Sequence, residues 1–596
     1  MFNSKVPFAL PDRSVVDSVH DTLHVGEFFR PAVVACMGST SVIRNDPVTL
    51  LSGDQFDAPS VPVAKVTKCL NVWSAKLLGD ENETFILEGI KDGFNIVDSS
   101  DRPPGFDRKN YRSTTHENKS KVEKRILEEV AKGNYIRSEF RPTYVSSLGA
   151  VPKDIDDVRV IHDLSRPNGG INAFASDTSV VYTSVDKITR LITENSFLAK
   201  VDLKSAYRSI PINKSCYGLT GIQWHFDGDP EKSYLFDSKL PFGASMSCRI
   251  FQSISDSICR IMSREGFVVE SYIDDFVCVG EDKLSCQMCY DDLIRLIESL
   301  GLDINWQKVS GPERCMTFLG ISIDCAKRTL SLPEKKLLEL KILILDFVKR
   351  TKVTKLELQR VLGKLNWASR VIKGGRSFMR RLIDLTCKVR ESYHYVRLGL
   401  SAKSDLTWWI ECLDLFNGKC LFKCDQPMPS FFYATDACET GGGGFCGADW
   451  FYVNWQIDYP SMYGKHINEL ELFVAVLALK RWGKLLSGCH VRIRSDNMAT
   501  VSALNKTTSR SVALMPHIRE LFWLGVQFDV TISSAHIPGC DNILADRISR
   551  MDSFIEACDA RIILAGFSSL VVSCSGHMSI SCFCYLQDVW IRDLSY

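Results

Sequence analysis

The sequence predicts a multidomain chain that mixes α+β and α/β modules, and three observations carry that expectation. The first is the stretch Ser271-Tyr272-Ile273-Asp274-Asp275-Phe276-Val277-Cys278-Val279, where apolar, β-prone residues run up to two aspartates and then resume. That is the pattern of strand, tight turn, strand. The second is a set of strand candidates ending in a lone aspartate, at Phe197 to Asp202, Phe431 to Asp436 and Val491 to Asp496. The third is a block of helical spacing between them, rich in Lys and Arg. Two carboxylates side by side at a hairpin tip repel each other and lose hydration, which is costly unless a cation sits between them. The Asp pair therefore reads either as a surface turn, where Asp is common, or as a divalent-metal site with the hard oxygen ligands that Mg²⁺ prefers.

Composition bounds the answer. At 596 residues the chain has room for several domains, each with its own core. Apolar and charged fractions of 45% and 24% exclude a disordered chain. The net charge of +1 hides an uneven distribution: Lys327 to Lys403 holds 20 Lys/Arg against 6 Asp/Glu, while Asn71 to Asp107 holds 3 against 8. A polyanion would be held on the basic block. The 22 cysteines are scattered, with one lone CxxC at Cys286 and Cys289, no second pair at zinc-ribbon spacing and no zinc knuckle. Met1 to Leu10 lacks the pattern of a secretory signal. Reduced, mostly buried thiols in an intracellular compartment, cytoplasm or nucleus, are expected.

In chain order, residues 1 to 120 carry little signal, and Asp98 to Tyr111 reads as linker or loop. Ser120 to Gly133 spaces Val122, Ile126 and Val130 on one helical face and ends in Gly. Val158 to Leu164 is a strand candidate after a polar turn at Lys153 to Asp157. Leu240 to Ser245 is a turn before a helix from about Met246 to Ser263, and a helix from Asp282 to Leu300 stops at Gly301. Ser331 to Arg350 is helical with Pro333 near its first turn. Thr354-Lys355-Leu356-Glu357 is a capping-box pattern opening a helix that ends at Gly374-Gly375. Further helices run from about Arg376 to Val389 and Ser404 to Phe416. Beyond Asp436 come a Gly-rich turn (Gly441 to Gly444), an amphipathic helix over Ile467 to Leu486 that carries Glu471, and a last helix that Asp546 begins.

As an ordered set these motifs resemble the palm and fingers of a reverse transcriptase. Asp202 matches the first palm aspartate, LPFGAS the template-primer turn, YIDD the two-aspartate hairpin, Lys308 the following lysine motif and FLG the strand against the primer. The runs VRVIHDLSRPNGG, LPFGASMSCRIFQ and LQRVLGKLNWASRVIKGGRSFMRRLIDLT resemble one class, the DIRS retrotransposons that integrate with a tyrosine recombinase. The resemblance covers roughly Glu123 to Arg550. It implies a right-hand polymerase, with an ill-defined, linker-rich N-terminal region over 1–120, fingers and palm over 121–330, and a basic helical thumb and connection over 331–425. Template-directed synthesis needs two divalent ions about 3.5–4 Å apart, clamping the attacking and leaving oxygens. Asp202 with the Asp274/Asp275 pair would hold two Mg²⁺, or Mn²⁺ in their place, with Asp274 the direct ligand and Asp275 assisting.

Other family positions follow by the same resemblance. Tyr207 stands where an aromatic faces the sugar of the incoming deoxynucleoside triphosphate and excludes a 2′-hydroxyl. Phe242, followed by Gly243, occupies a place that is Gln in retroviral enzymes and usually Phe in long-terminal-repeat elements. Lys153 and Arg159 would bind the triphosphate as a point charge and a fork, and Lys308 would donate a proton to pyrophosphate. Singly, each also reads as a core aromatic or a solvated surface cation.

Four more acids, Asp436, Glu471, Asp496 and Asp546, stand in the contexts TDA, ELELF, SDN and LADRIS. As a set they resemble a ribonuclease H-like domain over 428–550, with Glu469 as a competing choice for Glu471 and His536 as the mobile histidine that helps product leave. Two metals there would activate a water that cuts the RNA strand of a hybrid. The implied partners are an RNA template, a DNA primer, the RNA/DNA hybrid, deoxynucleoside triphosphates and a separate integration enzyme. An atypical apolar tail, 551–596, includes the Ser/Cys-rich stretch Ile562 to Leu586, long enough to span a bilayer. A stretch read past the end of an intact element is the preferred reading, and a membrane partner is not expected. The alternative function is a decayed or co-opted copy that binds RNA or hybrid without catalysis.

Overall fold

The structure, a computed structural model, describes residues 61–98 and 104–551 apart from 155, 168, 176–179, 373, 423–428 and 430. The chain's first sixty residues and its apolar tail, with the Ile562 to Leu586 stretch, lie outside the described residues. Two compact units divide the chain, one ending at Arg314 and the other beginning at Cys315, ahead of the boundary at 330 expected from sequence.

The first unit is built on a four-stranded sheet in the order Ser310–Glu313, Phe197–Asp202, Asp275–Gly280, Val268–Tyr272, with every neighbour antiparallel. The helix Ser245–Arg264 forms because Ile250, Phe251, Ile254, Ile258 and Ile261 recur at three- and four-residue spacing, and all are buried in the core. The helix Lys283–Ser299 starts at an Asp282–Ser285 capping box. It brings Cys286, Cys289, Leu293, Leu296 and Ile297 into the same core.

The linker-rich reading of residues 1–120 fails for 70–92. Helices Leu70–Leu77 and Glu83–Asp92 bury Trp73, Leu77, Ile86 and Ile90 against that core. The acidic run there includes a buried carboxylate. Asp80 is buried and ion-pairs with Arg260 and Arg264 at 2.8 and 3.4 Å; against burial, which raises it, Arg260 with the Asn82 amide and the Ser257 hydroxyl holds its carboxyl down at about 2.

The helix Lys119–Ala131 packs Val122 and Ile126 on Leu148 and Val158 of the hairpin Ser147–Asp154/Asp157–Asp163. A three-stranded sheet, Tyr135–Ser138, Ser233–Asp237 and Ile222–Trp224, adjoins it.

In the second unit, helices Glu334–Lys349, Lys355–Ala368, Arg380–Cys387 and Leu400–Phe416 follow one another. The Thr354–Glu357 capping box forms as expected. The helix it opens ends at Ala368, short of the expected Gly374.

A five-stranded sheet comes next, in the order Asp449–Asn454, Gly441–Cys446, Phe431–Ala437, His490–Ser495, Thr531–His536. Its first three strands are antiparallel neighbours, and the last two run parallel to Phe431–Ala437. The Gly-rich stretch Gly441 to Gly444 is strand, not turn. A Cβ at Gly442 would lie 2.5 Å from Trp455 and one at Gly443 2.4 Å from Ile548, so close packing on both faces demands glycine. The helix expected to be amphipathic, Ile467–Trp482, is buried continuously from Leu470 to Leu479. It is wrapped by the sheet and by the helix Leu514–Phe528 rather than half-solvated. Asp546 lies inside the last helix, Ile543–Ser549, not at its start.

Cys286 and Cys289 of the CxxC are both buried. No helix of the described residues is long and apolar enough to cross a membrane.

Candidate active sites

The Asp-Asp stretch is a two-residue hairpin. Tyr272 pairs with Asp275, and Ile273 and Asp274 form the turn. Ile273 takes a φ of +54°, costly for a β-branched residue. Two side chains on the helix Ser245–Arg264 hold it there: the Ile273 amide donates to Gln252 Oε1 at 2.8 Å, and Ser255 Oγ donates to the Ile273 carbonyl at 2.6 Å.

The hairpin's second strand lies beside Phe197–Asp202 in a register that sets Asp275 opposite Asp202. The Leu203 amide reaches the Asp274 carbonyl at 3.0 Å. All three aspartates thus meet at adjoining strand ends. Asp202 is buried at 4% exposure, receives Asn305 Nδ2 at 2.8 Å and lies 3.3 Å from Lys308 Nζ. Burial and the neighbouring aspartates push Asp275 up to about 6, opposed by Lys200 at 3.2 Å. Its Oδ1 is buried with no hydrogen bond. That oxygen faces the Lys200 ammonium at 3.2 Å and, with Asp202 and Asp274 alongside, has carboxylate charge left for a metal cation to offset.

Around this point lie the other expected residues. Tyr207 is half-buried, with its hydroxyl donating to Cys248 Sγ at 3.1 Å and its ring 5.4 Å from Phe242 and 5.7 Å from Phe251. Gly243 has a φ of +135°, and a Cβ there would fall 1.9 Å from the His162 carbonyl oxygen. The His162 amide donates to the Phe242 carbonyl at 3.1 Å, so the LPFGAS turn is pinned to the Asp157–Asp163 strand. Asn172 pins it again, donating to the Gly243 carbonyl at 2.8 Å and accepting from the Ser245 amide at 2.9 Å. Lys153 and Arg159 are both exposed on the hairpin; Arg159 stands opposite Val151, and Lys153 lies 3.3 Å from Asp157. Sequence reasoning missed Asn172, Gln252, Ser255 and Asn305.

In the second unit, Asp436 is the second-last residue of the central strand Phe431–Ala437, Glu471 comes from the helix Ile467–Trp482, and Asp496 follows the strand His490–Ser495. One oxygen from each lies within 4.8 Å of the others, the only group of three metal-ligating side chains so close among the described residues. The palm aspartates do not converge that tightly. Glu471 is 3% exposed, and burial, then Asp436 and Asp496, push its carboxyl up to about 9. Burial also raises Asp436 to about 6 against a Ser549 hydrogen bond of 2.5 Å. Glu471 Oε1 accepts from the Ala437 amide at 3.3 Å, and Oε2 is buried without a partner.

Of the competing glutamates, the structure brings Glu471 into this group and leaves Glu469 beside Lys465 and His517, at 3.9 and 3.7 Å. Asp546 is drawn to Arg550 at 2.8 Å and lies outside the trio. His536 is exposed at the end of Thr531–His536, opposite Ser495.

Residues 152–323 match the family described as Reverse transcriptase (RNA-dependent DNA polymerase). The enzymatic polyprotein of Cauliflower mosaic virus (strain NY8153) is 23% identical over 376 residues, 61% of this chain and 51% of that polyprotein. That of Carnation etched ring virus is 25% identical over 378 residues, 61% and 52% of the two chains. The Gag-Pol polyprotein of Avian reticuloendotheliosis virus is 22% identical over 182 residues, 29% of this chain and 15% of the other. This chain spans about half the length of the plant-virus polyproteins it matches. Among solved structures, the foamy viral protease-reverse transcriptase in complex with RNA/DNA hybrid aligns at a TM-score of 0.48 and 14% identity, over 82% of this chain and 64% of that one. Residues 152–323 are thus similar to reverse transcriptase domains, within a chain whose described residues mix α and β elements.

Proposed function

We propose that the chain is an RNA-directed DNA polymerase joined to a ribonuclease H, serving the replication of a retrotransposon. The observation that carries the first half is the register that sets Asp275 opposite Asp202, with Asp274 at the turn beside them, inside the segment that matches the reverse transcriptase family. Asp202, Asp274 and Asp275 would hold two Mg²⁺ or Mn²⁺ ions, which when bound activate the primer 3′-hydroxyl and neutralise charge on the leaving pyrophosphate. The protein's own part is to orient. Gln252 and Ser255 fix the hairpin tip, Asn305 fixes Asp202, and Tyr207 with Phe242 forms the wall that a deoxyribose would meet. Lys153 and Arg159 would take the triphosphate, and Lys308 would supply the proton.

For the second half, the converging trio Asp436, Glu471 and Asp496 fits a metal site by its donors and by the orphaned Glu471 oxygen. There the ions would activate water against the RNA strand of a hybrid, with Asp546 and His536 at its margin. The five-stranded sheet with three antiparallel and two parallel strands supports a ribonuclease H-like domain over 428–550, and the basic helices a thumb and connection over 331–425. The DIRS assignment rests on the sequence runs alone.

A second reading, a copy that holds RNA or hybrid without synthesis, is favoured by one observation: Lys308 and Asn305 already occupy the Asp202 carboxylate. Mg²⁺-dependent extension of a DNA primer on an RNA template separates the two, with Asp274→Ala as control. Extension that the substitution abolishes supports the enzyme; binding of hybrid without extension supports the second reading.

A further inference from the structure

Beyond the carboxylates, the first unit buries a charge cluster that the proposed chemistry does not use. Arg208, next in sequence to Tyr207, is 8% exposed at its side chain and ion-pairs with Asp237, which is fully buried. Its Nε also reaches Glu129 Oε2 at 3.0 Å. The guanidinium carbon lies 5.0 Å from the centre of the Tyr135 ring and 5.4 Å from that of Phe242. These partners come from separate segments. Glu129 lies on the helix Lys119–Ala131, Tyr135 and Asp237 on neighbouring strands, and Phe242 in the turn beyond.

Asp237 is itself fixed. Its amide donates to Thr220 Oγ1 at 2.9 Å, and its carboxylate accepts from the Lys239 amide at 3.1 Å. Desolvating such charges is costly, and their attraction repays it only in a tightly specified geometry. A forked, planar guanidinium can bind two carboxylates and lie against a ring at once, which an ammonium cannot.

We propose that Arg208 is a positioning residue for nucleotide selection: held by Asp237 and Glu129, it braces Phe242 against Tyr207, so the aromatic pair keeps one shape towards the sugar of an incoming nucleoside triphosphate. This rests on the polymerase reading above, so the test carries a measurement that does not need turnover. The full chain is bound to an RNA template and a DNA primer ending in a dideoxynucleotide, and its affinities for dTTP and UTP opposite a template A are measured. Single-nucleotide extension of an ordinary primer gives the kcat/KM ratio for the same pair.

Two variants are compared, Arg208→Lys and the double substitution Arg208→Met with Asp237→Leu, which removes the Arg208–Asp237 ion pair as a unit and leaves Glu129 with Asn134 and Lys132. Thermal unfolding confirms that each is folded; should the lysine variant fail to fold, the double variant decides. The preference for dTTP over UTP should fall by about tenfold in both variants, more than kcat for dTTP falls, whereas a merely structural role would lower both substrates alike. An unchanged preference in a folded variant overturns the proposal while leaving the polymerase reading intact. A chain that extends nothing, yet prefers dTTP in the blocked complex and loses that preference in the variants, overturns the polymerase reading and keeps the role of Arg208. Neither extension nor preference overturns both.

Discussion

Replacing Glu471 by Gln should abolish RNA cleavage and at the same time stabilise the metal-free protein at neutral and alkaline pH. The reasoning is electrostatic. Glu471 is 3% exposed, and burial with Asp436 and Asp496 beside it raises its carboxyl from the ordinary 4.5 to about 9. A folded-state value above the unfolded one means that the protonated form is favoured by folding. The stability this gives is fully present below pH 4.5 and is lost as pH rises towards 9. From 4.5 to pH 7 the loss amounts to about 3 kcal/mol, at roughly 1.4 kcal/mol per pH unit. Gln keeps the oxygen that accepts from the Ala437 amide and cannot ionise, so it escapes that loss.

In EDTA at pH 8 the variant should therefore unfold at a temperature higher by roughly 5 °C or more. At pH 4.5 the two proteins should unfold together. Added Mg²⁺ should raise the unmodified protein more than the variant, which keeps only the Asp202, Asp274 and Asp275 site, because ligand binding stabilises only the state that binds it. Equal unfolding temperatures at pH 8 in EDTA, or a gain of the same size at pH 4.5, would refute the argument.

The other expectations are simpler to state. Asp202→Asn and Asp274→Asn should each lower single-turnover primer extension by about a thousandfold or more while hybrid affinity, read by filter binding, changes only a few-fold. Gly243→Ala drives a methyl group into the His162 carbonyl at 1.9 Å and keeps a φ of +135°; a loss of about 2–3 kcal/mol in urea-unfolding stability should follow. Arg519→Met leaves the buried Asp405 with Arg381 as its remaining cationic partner and should cost about 3–5 kcal/mol in thermal unfolding. Hybrid binding should weaken by roughly 10³-fold from 50 to 200 mM salt, since a grip by the basic helices rests on phosphate contacts; an affinity that stays flat over that range would exclude the grip.

Much of the two sites was legible because an aspartate that interrupts an apolar run shows in one dimension. Asp202, Asp274 and Asp275 could be placed at strand ends before any contact was known, and so could Asp436 and Asp496. What holds them was not legible, since it depends on partners far along the chain. Asn305 reaches Asp202 across 103 residues, Asn172 reaches Gly243 across 71, and nothing local marks either asparagine. The sequence favours Glu471 over Glu469 by family register, but the physical cause is tertiary: both sit in ELEL, two residues apart on one helix, and the packing on the sheet decides which faces it. Gly441 to Gly444 misled because glycine signals both a turn and a strand packed too closely for a side chain.

The two acidic sites manage like-charge repulsion in different ways, and this bears on how each should respond to loss of metal. At Asp436, Glu471 and Asp496 the repulsion goes into a proton held by Glu471, whose carboxyl is raised by burial and by the two neighbouring aspartates. At the hairpin, Lys200 and Lys308 stand 3.2 and 3.3 Å from Asp275 and Asp202 and offset part of the charge from within the protein. Removing the lysine charge should therefore matter most where metal is absent. Lys200→Met in EDTA at pH 8 should push Asp275, already raised to about 6, still higher and destabilise the fold by about 1–3 kcal/mol. With Mg²⁺ bound, the same substitution should cost less, because the cation then does what the ammonium did. A cost that is equal with and without Mg²⁺ would mean that Lys200 is a packing residue and that the hairpin aspartates do not share a cation.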